Sequence, residues 1–283
     1  MIQISIPEFL ERAKRLDQLT HSRMPDWKNE RAWAEGARDS LDECLGGVSF
    51  DPLDLLESSM FRLGPKPTFL SLSFSHHPLT LWSSEEASLD VYYWQPGETT
   101  LHDHGFHGAF MPVAGDYAEA IYDYKTVTEL GAGVELGELT KTREQELLPK
   151  GKAVAIYHAP DFIHQVSHQS FCVTLCLRSR FMGPDLSDYY FPGLKVCGDS
   201  QKAVSAREDL QRLSLLREMR PEKLKPLIEV TPEGVLARWW LKDISEGFHK
   251  PLKPMIKEEL LRRPHGKAII AASLLRELSM QGY

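Results

Sequence analysis

Between Thr68 and about Arg180 the chain reads as a series of short strands, and helical spacing brackets that stretch on both sides. Phe69–Phe74, Leu89–Trp94, Ala153–Tyr157 and Phe171–Leu177 are rich in β-branched and aromatic residues, the types that suit a pleated, buried surface. Gly115-Asp116, Gly131-Ala132-Gly133 and Pro149-Lys150-Gly151 punctuate them as turns. Many short strands divided in this way predict an antiparallel sandwich or barrel.

The flanks have another period. From Ile6 to about Leu63 apolar residues recur at three- and four-residue spacings, as in Phe9-Leu10, Ala13, Leu16 and Leu19. Asp51 before Pro52 predicts a helix start, with Asp51 as N-cap and Pro52 at the first helical position. After Gly198 helical spacing returns through Leu210, Leu213, Leu260-Leu261 and Ile269-Ile270. The expected organisation is a helical N-terminal extension over residues 1–66, a barrel over 67–182 and a helical region over 183–283. Within the last, Arg262-Arg263-Pro264-His265-Gly266-Lys267 is basic and reads as a solvated loop and helix end.

The chemistry concentrates in Pro96-Gly97-Glu98-Thr99-Thr100-Leu101-His102-Asp103-His104. On an extended strand alternate side chains share a face, so His102 and His104 can grip one ion while Asp103 points away. A third imidazole comes from His164 in Asp161-Phe162-Ile163-His164, with His158 as its competitor six residues earlier. His168 begins the following loop or strand, and His107 reads as a packing or supporting residue. Neutral nitrogen ligands suit Fe, Zn, Cu or Ni better than Mg or Ca.

A net charge of −7 argues against a nucleic-acid partner held by bulk electrostatics. Cys44, Cys172, Cys176 and Cys197 lack paired metal or disulfide spacing and read as thiols in a reducing compartment. No apolar run approaches the roughly 20 residues of a membrane span, and charged Glu8, Glu11 and Arg12 stand where a secretion signal would be apolar. The expectation is a cytoplasmic protein with no membrane partner.

An HxH pair after a Gly turn, with a third His later in a β-region, resembles the cupin superfamily, and within it the cysteine dioxygenase type of thiol dioxygenase. The matching stretches are His102–Phe110, continuing through Gly115 to Ala118–Tyr124, and Ile163-His164-Gln165-Val166. They cover roughly residues 88 to 180. The resemblance implies a cupin-like antiparallel barrel (jelly roll) with helical extensions. It also implies one Fe(2+) held by His102, His104 and His164, with small-molecule substrate and dioxygen bound beside it. The carboxylate ligand of many cupins would fall on Gly108 or Ala109, which leaves a three-histidine shell.

The departures are specific. Gly108 stands where the family often carries a Cys cross-linked to Tyr, and that Tyr position falls on Arg178. Thr174 and Cys176 replace the Ser and His before it, and no Arg occurs near Ser75-His76-His77, where the family holds a substrate carboxylate. Cysteine itself is therefore not the expected substrate.

Thr174, Cys176 and Arg178 share parity on one strand. An inward Arg178 needs an anion, either a substrate carboxylate or a nearby Asp. Cys176 reads as an inert core residue. Tyr92, Tyr93, Trp94 and Tyr157 read as core aromatics, with Tyr157 also a candidate hydrogen-bond donor near the metal. The expected activity is a non-heme iron dioxygenase acting on a thiol-containing or anionic small molecule. The alternative is a non-redox metal- or ligand-binding cupin whose helical regions serve assembly, a homodimer included.

Overall fold

The computed structural model describes residues 1–23, 29–59, 79–158, 160–179, 187–198, 201–243 and 247–280. The expected strand Phe69–Phe74 and the Ser75-His76-His77 segment lie outside the described residues. The chain divides into two compact units. The first comprises Met1–Thr99, Asp103–Ile121 and Lys141–Gly183, and the second Thr100–His102, Tyr122–Thr140 and Pro184–Tyr283.

The first unit opens with β1 (Ile2–Gln3), α1 (Ile6–Arg23), α2 (Glu30–Leu45), β2 (Val48–Ser49) and α3 (Pro52–Ser59). Phe9, Ala13, Leu16 and Thr20 recur on the buried stripe of α1, the spacing of an amphipathic helix. Asn29 caps α2 by accepting from the Ala32 backbone N–H at 3.3 Å. Asp51 caps α3 as its sequence predicts, accepting from the N–H groups of Leu53 and Asp54 at 2.8 and 3.4 Å.

The strands of this unit are β3 (Leu79–Ser83), β4 (Ala87–Trp94), β5 (Gly97–Glu98), then, past β6 (Leu101–His102), β7 (Gly108–Ala114). After the long strands β8 (Ala118–Gly131) and β9 (Val134–Leu147) come β10 (Val154–Ile156), β11 (Ile163–His168) and β12 (Cys172–Ser179). Five of them form an antiparallel sheet in the order β10-β7-β12-β4-β3. Opposite it, β11 pairs with β5 and with β8.

Every residue of β12 is buried, so it has no polar side to reveal its alternation, yet its two faces differ in kind. Val173, Leu175 and Leu177 point toward Phe9, Leu16, Trp33 and Leu41 of α1 and α2. Cys172 and Cys176 point the other way, into an aromatic cluster with Tyr92, Phe106, Phe110, Tyr117, Phe162 and Val166. The expected shared parity of Thr174, Cys176 and Arg178 is present, and all three are buried. Helices thus cover the sheet's outer face while its inner face lines the barrel core.

In the second unit β6 pairs with β13 (Ser187–Tyr190), β13 with β14 (Leu194–Cys197), and β14 with the start of β9. The β-pattern therefore runs beyond Arg180. The outer parts of β8 and β9 form a hairpin whose turn, Gly131-Ala132-Gly133, has φ of +89°, +53° and +71°, a backbone that glycine adopts at least cost. Among the described residues the α-helices that follow are α4 (Gln201–Met219), α5 (Leu224–Val230), α6 (Glu233–Arg238), α7 (Lys253–Leu261) and α8 (Gly266–Met280). Leu210, Ile228, Leu236, Trp239, Ile256, Leu260 and Ile269 make their common core. The basic run at 262–267 is matched by acids: Arg263 pairs with Glu259 at 2.8 Å, and His265 Nδ1 donates to Glu233 at 3.1 Å. No helix among the described residues is long and apolar enough to cross a membrane.

Candidate metal centre

His102, His104 and His164 come together, each offering a ring nitrogen within 4.8 Å of the others. They are 6%, 2% and 3% exposed. The expected strand ends one residue into the HxH pair: His102 closes β6, while Asp103 and His104 lie beyond it. Strict strand alternation is therefore not what aims the second imidazole. Packing does this, because the His104 ring lies against Phe106 and Phe162, with centroids 4.7 and 6.4 Å away.

In two of the three rings Nδ1 faces an oxygen acceptor, which in the neutral ring places the proton on Nδ1. His102 Nδ1–H donates to the Thr100 carbonyl at 2.7 Å, leaving its Nε2 as a lone pair. His164 Nδ1–H donates to Glu119 Oε1 at 2.7 Å, which does the same. His164 Nε2 lies 2.9 Å from His104 Nε2. Ligands bound about 2.0–2.1 Å from one ion sit roughly 3 Å apart, so this approach fits shared coordination. With three imidazoles and no carboxylate in the set, the donors fit a first-row transition ion.

Glu119 was not singled out in the sequence. It is fully buried on β8, and its Oε2 accepts from Arg143 Nη2 on β9 at 2.6 Å. A carboxylate that orients a ligating imidazole is a recurrent support for metal sites. Glu119 and Arg143 lie at equal distances from Gly131 along the two arms of the hairpin, a relation that appears only once the hairpin itself is known.

The other candidates are distributed as follows. His158 is not in the cluster; its carbonyl accepts from Asp161 N–H at 3.1 Å. The His107 ring packs edge-on against Trp33 at 5.2 Å, as a packing residue would. His168 lies on the inward face of β11, stacked on Trp94 with centroids 5.3 Å apart, and its Nδ1 meets the Asp116 carbonyl at 3.3 Å. Burial holds its imidazole below the ordinary value, while that carbonyl contact acts in the opposite sense. Tyr157 is half-buried at the edge of the aromatic cluster, with the Arg31 guanidinium 5.8 Å from its ring centre.

Arg178 is 1% exposed and meets the buried Asp rather than solvent: Nε donates to Asp90 Oδ2 at 2.6 Å. Asp90 also accepts from Thr80 Oγ1 at 2.6 Å and Ser88 Oγ at 3.0 Å. Phe106, which flanks His104, carries the Arg178 guanidinium 5.7 Å above its ring. Burial pushes the Cys176 and Cys172 thiols up to about 12, so both are inert at neutral pH. Gly108 has no room for a side chain. A Cβ there would overlap the Leu177 carbonyl oxygen and come within 2.9 Å of Arg178 Cα, so neither a carboxylate ligand nor a cross-linking Cys fits at that position.

An antiparallel jelly-roll barrel that brings together His102 of β6, His104 just past it and His164 of β11 defines the class: this is a cupin-like fold with a three-histidine set able to hold a metal ion. No protein-family model matches the chain, and no curated protein matches it. Solved structures do. A cupin-2 domain protein from Shewanella frigidimarina matches at 12% identity, covering 45% of this chain and 92% of its own, with a TM-score of 0.29. Hydroquinone 1,2-dioxygenase from a Sphingomonas species matches at 6% identity, covering 38% and 66%, with a TM-score of 0.28. A DMSP lyase from Ruegeria pomeroyi matches at 14% identity, covering 42% and 54%, with a TM-score of 0.27.

Proposed function

We propose that this protein is a non-heme iron oxygenase acting on a small thiol-containing or anionic substrate bound beside the three-histidine site. The observation that carries the reading is the buried set of imidazoles, two of which direct Nδ1–H at protein acceptors and Nε2 at the cluster. Bound there, Fe(2+) would supply dioxygen activation and positions for substrate.

The chain's own residues do the rest. His102, His104 and His164 hold the ion, and Phe106 and Phe162 wall the imidazoles and exclude water from them. The lack of room at Gly108 keeps a carboxylate ligand out, which supports the three-histidine shell of the thiol-dioxygenase resemblance. Arg178 lies in the same interior with its charge already matched by Asp90, so an anionic group of the substrate would have to share that guanidinium with the carboxylate. The thiol that reacts would come from the substrate, because burial keeps Cys172 and Cys176 protonated.

The test is anaerobic loading with Fe(2+), metal analysis, and an oxygen electrode with a panel of small thiols, with and without a carboxylate. One iron per chain and thiol-dependent oxygen uptake are expected. An iron-loaded protein that leaves dioxygen untouched with every member would overturn the oxygenase reading and mark a metal-binding module instead.

A further inference from the structure

We propose that Glu119 and Arg143 are positioning residues for the metal ligand His164, acting as a carboxylate–guanidinium brace that dictates which ring nitrogen faces the ion. The inference rests on the metal reading above and adds residues that the histidine motif does not contain. Glu119 presents one oxygen to each neighbour: Oε1 to His164 Nδ1 at 2.7 Å, and Oε2 to Arg143 Nη2 at 2.6 Å. The guanidinium has only donors, so it holds the carboxylate in one orientation and cannot serve His164 in its place. A fully buried carboxylate beside a buried imidazole is thereby anchored from the surface, since Arg143 is 39% exposed. All three residues lie on paired strands, β8, β9 and β11, a rigid mount for a small angular tolerance.

The brace makes an unusual prediction about an amide. In Glu119→Gln one end of the side chain becomes NH2. Arg143 accepts nothing, so it retains the amide oxygen and the NH2 turns toward His164. His164 Nδ1 must then accept, which moves its proton to Nε2 and removes the lone pair the ion needs. Adding Arg143→Met frees the amide to flip, present oxygen to His164 and restore the metal-binding tautomer. A residue that merely filled space would give the opposite pattern, with the double variant worse than either single.

The assay is anaerobic Co(2+) titration followed by its visible ligand-field bands, on the full chain, with folding checked by circular dichroism. Loss of an outer partner of a metal ligand typically costs about 10- to 100-fold in affinity. E119Q should lose about that much and shift the bands, while E119Q/R143M should return to within about threefold of R143M alone. Glu119→Asp, which keeps the charge but draws the acceptor away from His164, should also lose roughly tenfold and serves if E119Q does not fold. Wild type that binds one Co(2+) while E119Q and E119D bind within twofold of it would overturn the brace. Recovery absent in E119Q/R143M would overturn the tautomer argument. Wild type that binds no Co(2+) or Fe(2+) would instead overturn the metal reading itself.

Discussion

Arg178 and Asp90 form an ion pair whose removal should be costly on either side and nearly harmless on both. Asp90 is fully buried and Arg178 is 1% exposed. The carboxylate accepts at 2.6 Å from the guanidinium, 2.6 Å from Thr80 and 3.0 Å from Ser88. Arg178→Met keeps the apolar stem of the side chain but leaves Asp90 with only two neutral hydroxyl donors. Breaking a buried pair from one side costs about 3–5 kcal/mol, and at about 2–4 °C per kcal/mol for a unit of 150–250 residues the melting point should fall by 6–20 °C. Asp90→Asn should cost a similar amount by stranding the guanidinium. The double variant removes both charges and should recover most of the loss, a large favourable coupling in the mutant cycle. Arg178→Lys keeps charge but loses the planar fork, and should fall between wild type and Met. Thermal unfolding followed by tryptophan fluorescence measures all four variants. Single losses below about 1 kcal/mol that simply add would refute the argument, because a buried charge without its partner cannot be that cheap. Iron occupancy should be unchanged throughout. If Arg178 also faces a substrate anion, R178K should raise KM more than its stability loss alone explains.

Three further outcomes follow from the same geometry. His164→Ala should abolish metal binding by removing one of three ligands, while His158→Ala should leave occupancy near wild type; metal analysis of both proteins decides, and the reverse result would move the third ligand. Gly108→Ala should destabilise by about 1–3 kcal/mol, the range for overpacking, since its Cβ would overlap the β12 backbone; urea unfolding unchanged from wild type would contradict it. His168 is held neutral by burial, with its folded value below the unfolded value of about 6.5. Its contribution is therefore present above that pH and lost as pH falls through the folded value. Acid-induced loss of stability should be smaller in His168→Phe than in wild type, and identical melting-point profiles from pH 7 to 4 would rule out that contribution.

What could be read from the chain, and what could not, divides along the reach of local patterns. The histidine pair was visible because a turn, a spacing and a distant third imidazole are each local features, and the parity of Thr174, Cys176 and Arg178 needed only the twofold period of a strand. Asp51 was visible as a cap because capping is settled within one helical turn. The long β8–β9 hairpin was not, because the residues from Lys125 to Glu129 and from Glu138 to Arg143 are mostly exposed and carry no apolar alternation. Strands β13 and β14, four residues each, are too short to show a period. Glu119 shows the sharpest limit. It is one of 40 acidic residues, and nothing beside it in the chain marks it as different. What distinguishes it is burial between an imidazole 45 residues away and a guanidinium 24 residues away, and such a pairing exists only once the strands are in register. The metal ligands of this fold announce themselves through local spacing, whereas the groups that aim them are set by tertiary contact, so a reading of motifs finds the donors and misses what holds their protons in place.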